Sequence, residues 1–527
     1  MTQMTGKQAL KRLSIAIAGC LATSGLHAAT FTVTNTLDGG EGSLRWAIEQ
    51  ANTNSDPENE IVFDPAIDGE TIVLGDVLNV TKQLTITGNG MTNTVISGNN
   101  ATRIFDIAAS ADQFELSHAT LTGAVGTTGT GGAITSNART LHLTHTQISD
   151  NTTPYQGAGI RHAPFDDGSS LEIRNSIISN NTVTGTGAFN RGGGIHAELW
   201  RDEDTVLISQ SQITGNHAHR GGGLSTIVPT TAFDPGQGTI VIRSTISGNT
   251  AVEAGGGILA QAYSPHVFRM NGTTLSDNQA GTLGGGAAVY GSTVDVRYSL
   301  VTNNSAATTG GGLFIDFNGA GSQYGVYEYI SLLNSTFSSN VLNDPNEAQG
   351  AGVFVQSPYG EPPAAFSARH VTVAFNTASH WDADSEGLGI MNTTPWPMIL
   401  DHAILTNNTH QSVNHDLSGS FEAAWSLLGE RSPTTAVSEG DGVQNVLDGG
   451  LLPLQNNGGL THTHGLVPSG PAFMAGDPDF DAPIERDQRF IFSRVVNDRI
   501  DIGAFESTVD PVFIFRGGFE AAPEKPD

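Results

Sequence analysis

The chain has 527 residues, with 65 Gly and 22 Pro, 23 Lys and Arg against 52 Asp and Glu, a formal charge of -29 and one cysteine. These numbers exclude a disulfide scaffold, a cysteine-rich zinc module and an electrostatic nucleic-acid binder. Hydrophobic residues at 38% are thin for a compact globule but enough for the narrow core of an elongated repeat fold, so the length need not mean three or four globular domains.

The first element is a targeting segment over residues 1–28. Lys7, Lys11 and Arg12 precede the apolar run Leu13 to Ala22, and Leu26-His27-Ala28-Ala29 offers small residues at a cleavage point. The run is too short for a permanent membrane anchor. Ile17-Ala18-Gly19-Cys20 looks like a bacterial lipobox. Cleavage near Ala28 is the expectation, and retention as a lipoprotein through Cys20 is the alternative. The cleaved chain keeps no cysteine and no apolar stretch able to span a membrane as a helix. The expected location is extracellular or on the outer surface of a bacterial envelope.

Residues 29–83 read as a lid. Thr30 to Thr36 is a strand and Asp38 to Gly42 a turn. Ser43 is a helix N-cap, and Leu44, Ala47, Ile48 and Ala51 mark one face of a short helix. An open stack of strands needs such cover at its ends.

Two linked signals then recur over residues 84–410. The first is a glycine cluster followed by an apolar residue, at Gly192 to Ile195, Gly221 to Leu224, Gly255 to Ile258, Gly284 to Ala287 and Gly310 to Leu313. Looser copies start at Gly131, Gly157, Gly350 and Gly387. The second is an asparagine after an apolar-Ser/Thr pair: Asn151, Asn181, Asn216, Asn249, Asn278, Asn304, Asn340, Asn376 and Asn408, at intervals of 26 to 36 residues. Upstream of most of these lie apolar residues at period two, such as Leu171 and Ile173, or Val294 and Val296. Period two means strands with one buried face. Each copy is too small to bury its face alone, so the copies must stack and share a core. Glycines suit the tight corners. Repeated inward asparagines suit a hydrogen-bonded ladder along the stack. Both signals are therefore structural, and neither is given a catalytic role.

This pattern resembles an all-β, single-stranded right-handed parallel β-helix. Gly131 to Ile134 and Phe337 to Asn340 look like the repeats of polymorphic outer-membrane proteins of bacteria. Roughly a dozen coils at ~4.8 Å per strand give a rod on the order of 60 Å long. Gly42 to Ile48 resembles the capping motif named for Cys-Ser-Leu-Arg-Glu-Ala, with Gly42 and Trp46 replacing its cysteine and glutamate. Residues 411–506, through Asn456 to Gly459, His462 to His464, Pro468 to Ala475, Asp487-Gln488-Arg489 and Asp501 to Glu506, look like the choice-of-anchor region of exported β-helix proteins. That resemblance implies association with a surface or with secretion. The tail, 507–527, ends in Ile514 to Glu520, which is similar to a short tail of some exported bacterial proteins.

Chemistry is sparser. Many β-helix proteins degrade acidic polysaccharides, but after the targeting segment only Lys82 and Lys525 remain, which disfavours a lysine-dependent lyase. Comparing outward positions of stacked strands places Arg161, Arg191, His196, Glu198 and Arg220 as a candidate patch. Arginines there would meet phosphate or carboxylate, and His196 with Glu198 would move a proton. The bland reading, a solvated face with scattered charge, is preferred. The same column becomes apolar at Leu259, Phe314, Phe354 and Met391. That stripe either grips sugar rings or a partner protein, or is covered by long loops such as the one between Asn318 and Tyr329. Glycoside hydrolysis needs two carboxylates at a set separation, and among 52 acids adjacent pairs such as Asp166-Asp167 and Asp202-Glu203-Asp204 single out none. Asp382, Asp384 and Glu386 resemble the start of a calcium loop, but Thr393 stands where its closing Glu belongs. Calcium is thus the one cofactor offered, with an acidic surface loop as the plainer reading.

The function this favours is a non-enzymatic, exported or surface-displayed β-helix that contacts glycan or a cell-surface protein. Nucleic acid is excluded as a partner by charge. The alternative is a polysaccharide lyase or glycoside hydrolase working on the β-helix face.

Overall fold

In the computed structural model the described residues are 29–508, apart from 128–130, 202, 230–237, 263–265, 292, 318–328, 345–347, 358–362, 364, 380–385, 411–412, 481–485 and 497. The targeting segment, the tail from residue 509, Asp382, Asp384 and most of the Asn318–Tyr329 loop lie outside them. The chain is a right-handed parallel β-helix. One coil shows the plan: Ser170–Arg174 in sheet 1, Ile177–Ser179 in sheet 2, Thr182–Val183 in sheet 3 and Ile195–Glu198 in sheet 4. Each strand pairs in parallel with its counterpart one coil on, as Leu171 with Val206, Ile178 with Ile213, Thr182 with His217 and Ile195 with Leu224. Right-handed winding is what right-twisted parallel strands favour. Inward residues such as Leu171, Ile173, Ile178 and Ile195 join one continuous buried core.

Three corners close each coil. The first is turned by a single residue at positive φ, such as Asn175, Gln210, Arg243, Tyr298, Asn334, His370 and His402. In most coils the next position is a buried Ser or Thr whose hydroxyl accepts from the backbone of the coil before it, as Ser176 from Thr146 N (3.1 Å), Ser211 from Ser176 N (3.1 Å) and Ser244 from Ser211 N (3.1 Å); Val371 and Ala403 stand there after His370 and His402. The second corner carries the asparagines. All nine are fully buried, and each Nδ2 donates to the Oδ1 of the next: 2.8 Å from Asn151 to Asn181, 2.9 Å from Asn249 to Asn278, 2.8 Å from Asn376 to Asn408. The ladder runs unbroken and ends on a carboxylate. Asp416 Oδ1 accepts from Asn408 Nδ2 (2.7 Å) and N (2.8 Å), and its Oδ2 from Glu430 N (2.9 Å).

The third corner explains why glycines accompany the asparagines. Gly221 has φ +62, where an L side chain is strained. A Cβ on Gly222 would lie 2.4 Å from Gly256 O, and one on Gly223 would lie 3.0 Å from Asn249 Cγ of the next coil. In the triple-glycine coils a bare backbone lets the chain close over the ladder, while the looser copies fit Ala133, Ala158, Ala351 or Leu388 at one of these positions.

At the N-terminus a short helix stands before the asparagine coils. Helix α1, Leu44–Thr53, is capped by Ser43, which accepts from Trp46 N, and buries Leu44, Ala47, Ile48 and Ala51. The first strand, Ala29–Val33, already pairs in parallel with Asn59–Phe63, so coiling begins inside the lid. Coiling also outlasts the expected boundary at 410. Leu417–Ala424 pairs with Met398–Asp401, and Gln444–Asn445 with Leu427–Leu428. Asp416 takes the asparagine's place there, and Ser426 Oγ accepts from Ala403 N at the first corner, so asparagine does not mark this coil.

From Val446 the chain turns back along the outside of sheet 2 as a strap. Gly449 N meets Asn407 Oδ1 (3.3 Å), His464 Nε2 meets Ser338 Oγ (2.9 Å), Thr336 donates to Gln488 Oε1 (2.6 Å) and Thr461 donates to Tyr298 O (3.2 Å). The two acidic motifs of the 411–506 region meet inside the strap. Arg489 lies 3.7 Å from the Phe492 ring centroid and 4.1 Å from that of Phe505, bonds Asp487 at 2.7 Å and reaches Glu506 O at 2.5 Å. Buried Arg494 pairs with Glu506 (3.5 Å) and with Asn334 of the rod. No helix among the described residues is long and apolar enough to cross a membrane.

Candidate functional site

Outward residues of sheet 4 and the ends of sheet 3 form a trough running along the rod. Its floor is one column in register: Arg161, His196, Ser225, Leu259, Ala288, Phe314, Phe354 and Met391. One wall is the residue before each glycine cluster, where Arg191, Arg220, Ala254 and Leu283 belong. The other wall is a second column two residues further along sheet 4: Glu198, Ile227, Gln261, Tyr290, Asp316 and Gln356.

The expected patch is real as a neighbourhood. Arg161 Nη2 lies 3.2 Å from Glu198 Oε1, and His196 Nε2 lies 3.3 Å from the same oxygen. Trp200 Nε1 donates to Glu198 Oε2 at 3.0 Å. Arg191 and Arg220 sit on adjacent coils but serve other partners. Arg191 donates to Ala188 O (2.8 Å) and spans a coil to Gln261 Oε1 (3.1 Å). Arg220 grips Glu253 with both Nε (2.7 Å) and Nη2, and His219 Nε2 adds a third contact to that carboxylate at 3.2 Å.

Electrostatics follow from burial. Burial lowers the pKa of His196, which is 0% exposed, and keeps its ring neutral with Nε2–H donating to Glu198. Burial pushes the Glu198 carboxyl up, but the His196 hydrogen bond, the Arg161 charge and the Trp200 N–H outweigh it and hold it at about 2. Glu253 is also lowered, first by its hydrogen bond to Arg220. Burial raises Tyr290 to about 12 and raises Asp316, whose Oδ2 accepts from Gln356 Nε2 at 2.9 Å.

The apolar stripe is a second small core rather than an open face. Leu259, Phe314 and Phe354 are 1, 3 and 4% exposed and pack with Ala254 and Ala288, against partly buried Leu283, Tyr290 and Met391. The Phe314 and Phe354 rings stack at 5.5 Å, and Tyr290 lies 5.4 Å from Phe314. Glu386 sits among hydroxyl groups. Its Oε2 accepts from the hydroxyls of Ser418 (2.5 Å), Ser432 (3.2 Å) and Thr434 (3.2 Å). No group of three metal-ligating side chains converges among the described residues. Asp204 is structural, accepting from Ser169 N (2.8 Å) and Arg201 N (2.9 Å).

Sequence comparison of outward positions considered the residue two places after each glycine cluster and the residue before it. It missed the column four places after, which supplies Gln261, Tyr290, Asp316 and Gln356. Period two along the same strand was the signal that would have found it. Comparison of the chain with models of protein families and with curated proteins found no match.

Proposed function

We propose that the protein is exported, stands at or near the outer surface of a bacterial envelope, and contacts glycan or a cell-surface protein through the trough without acting chemically on what it holds. The observation carrying this reading is that the charged pairs of the expected catalytic patch are committed to one another. Glu198 is tied to Arg161, Glu253 to Arg220, and the His196–Glu198 pair has its imidazole sealed from solvent. A general acid and base must both reach a substrate, whereas a binding face needs only polar groups over an apolar bed. The likeness of the repeats to polymorphic outer-membrane proteins, of the lid to the Cys-Ser-Leu-Arg-Glu-Ala cap and of residues 411–506 to choice-of-anchor regions supports the location.

The test is reducing-end release by the purified chain from neutral and acidic polysaccharides, with and without calcium, beside retention on the same polymers immobilised. Retention without release is the expected result. Release that disappears in His196→Ala or Arg220→Ala would replace this reading with a polysaccharide-degrading enzyme.

A further inference from the structure

We infer that the trough is built for a neutral glycan, and that Gln261, Tyr290, Asp316 and Gln356 are the row that reads its hydroxyls; this rests on the binding role proposed above. The four residues are directly paired neighbours on successive sheet 4 strands. Stacked strands repeat at about 4.8 Å, close to the advance of one sugar unit in an extended β-linked chain, so successive sugars meet successive rungs. Two amides, a phenol and a carboxylate are the groups that pair with vicinal hydroxyls, and Tyr290 adds a half-buried ring for a pyranose face.

Asp316 makes the need for a ligand specific. One carboxylate oxygen is held by Gln356, while the other is out of solvent and accepts no hydrogen bond from the described residues. A buried acceptor left without a donor costs free energy, and native proteins rarely keep one without a reason. A sugar hydroxyl supplies the missing donor. An acidic sugar fits badly on two counts. It would bring a carboxylate to Asp316 on a chain of formal charge -29. The arginines that might receive it are engaged: Arg220 by Glu253, Arg161 by Glu198, and Arg191 by Ala188 O and Gln261.

The experiment is titration calorimetry of the full chain with cellohexaose, xylohexaose and mannohexaose against a galacturonate hexamer. At least one neutral hexamer should bind at least tenfold more tightly than the galacturonate. Asp316→Asn and Gln356→Ala should each weaken that binding tenfold or more, while His142→Ala on sheet 1 leaves it unchanged. Galacturonate bound as well as the neutral hexamers, or full affinity in both trough variants, would sink the inference and leave glycan binding standing. No hexamer bound by the unaltered chain would sink both.

Discussion

Asn278 shows what one rung of the ladder holds. Its Oδ1 accepts from Asn249 N (3.0 Å) and Nδ2 (2.9 Å), and its own Nδ2 donates to Ile246 O and Asn304 Oδ1, both at 2.9 Å. Asn278→Ala would take the side-chain partner from Asn249 N and from the Ile246 carbonyl, while Asn249 Nδ2 keeps Ile213 O. At about 1–3 kcal/mol for each of the two groups, the loss should be roughly 2–6 kcal/mol. Exposed Gln279→Ala, one residue on, should cost under about 0.5 kcal/mol. Urea midpoints of the two variants give the comparison. Near-equal values would mean that strand pairing, not the amides, holds the corner. Polarity also explains why the ladder closes on Asp416: the last rung receives donors on both oxygens and has nothing left to donate to.

At the scale of the element, the strap is held by an apolar seam, Leu466, Ala472 and Ile502 against Ile404 and Leu427 of the rod, and by the buried guanidinium of Arg494. Arg494 links Glu506 and Gly503 O inside the strap to Asn334 on the rod. Removing the guanidinium leaves Gly503 O, Glu506 Oε2 and Asn334 Oδ1 without its donors, at about 1–3 kcal/mol for each orphaned group. Arg494→Ala should therefore free the strap while the coils persist. Hydrogen exchange should quicken across residues 457–506 and stay slow in coils 134–410; uniform quickening would mean that the strap is part of the rod's own stability. These two elements were legible to different degrees. The coils repeat one solution at each corner, so glycine and asparagine state the fold nine times over. A Ser or Thr five residues before most ladder asparagines, such as Ser176, Ser211 and Ser299, states it again and went unread. The strap uses each residue once: Arg489 between two rings and Gln488 on Thr336 leave no periodic trace, so its motifs marked a region without revealing the contacts. The trough falls between these cases. Its register follows from the repeat, which brought Arg161, His196 and Glu198 together correctly. Its pairing depends on side-chain reach, as when Arg191 crosses a whole coil to Gln261, and no spacing rule predicts that.

For the whole molecule, burial of ionisable groups fixes how stability varies with pH. Burial lowers His162 and His266 to about 3 and also lowers His196, His370 and His464. These rings stay neutral in the fold but take up protons in the unfolded chain below about pH 6.5, so the stability they confer is present above 6.5 and is lost as pH falls. Burial raises Asp416 to about 7 and Glu506 to about 9. Their contribution runs the other way: it is full below the ordinary carboxylate range near 4 and is lost as pH rises through 7 and 9. Burial also raises Asp204, Asp316 and Asp501, which oppose the histidines at the acid end of the range; nearer pH 6.5 the five rings are opposed mainly by Asp416 and Glu506, so stability should rise with pH there. Above 6.5 only the carboxyls titrate, and it should fall. Each group fully inside its window contributes about 1.4 kcal/mol per pH unit. The expected profile is a maximum near pH 6.5, measured as urea midpoints from pH 4.5 to 9. His266→Gln, which keeps a polar group beside Thr239, should flatten the acid limb by one proton's worth of slope, and Glu506→Gln the alkaline limb. A profile rising steadily to pH 9 would show that Asp416 and Glu506 are ionised in the fold, and that the ladder end and the strap hold charged carboxylates after all.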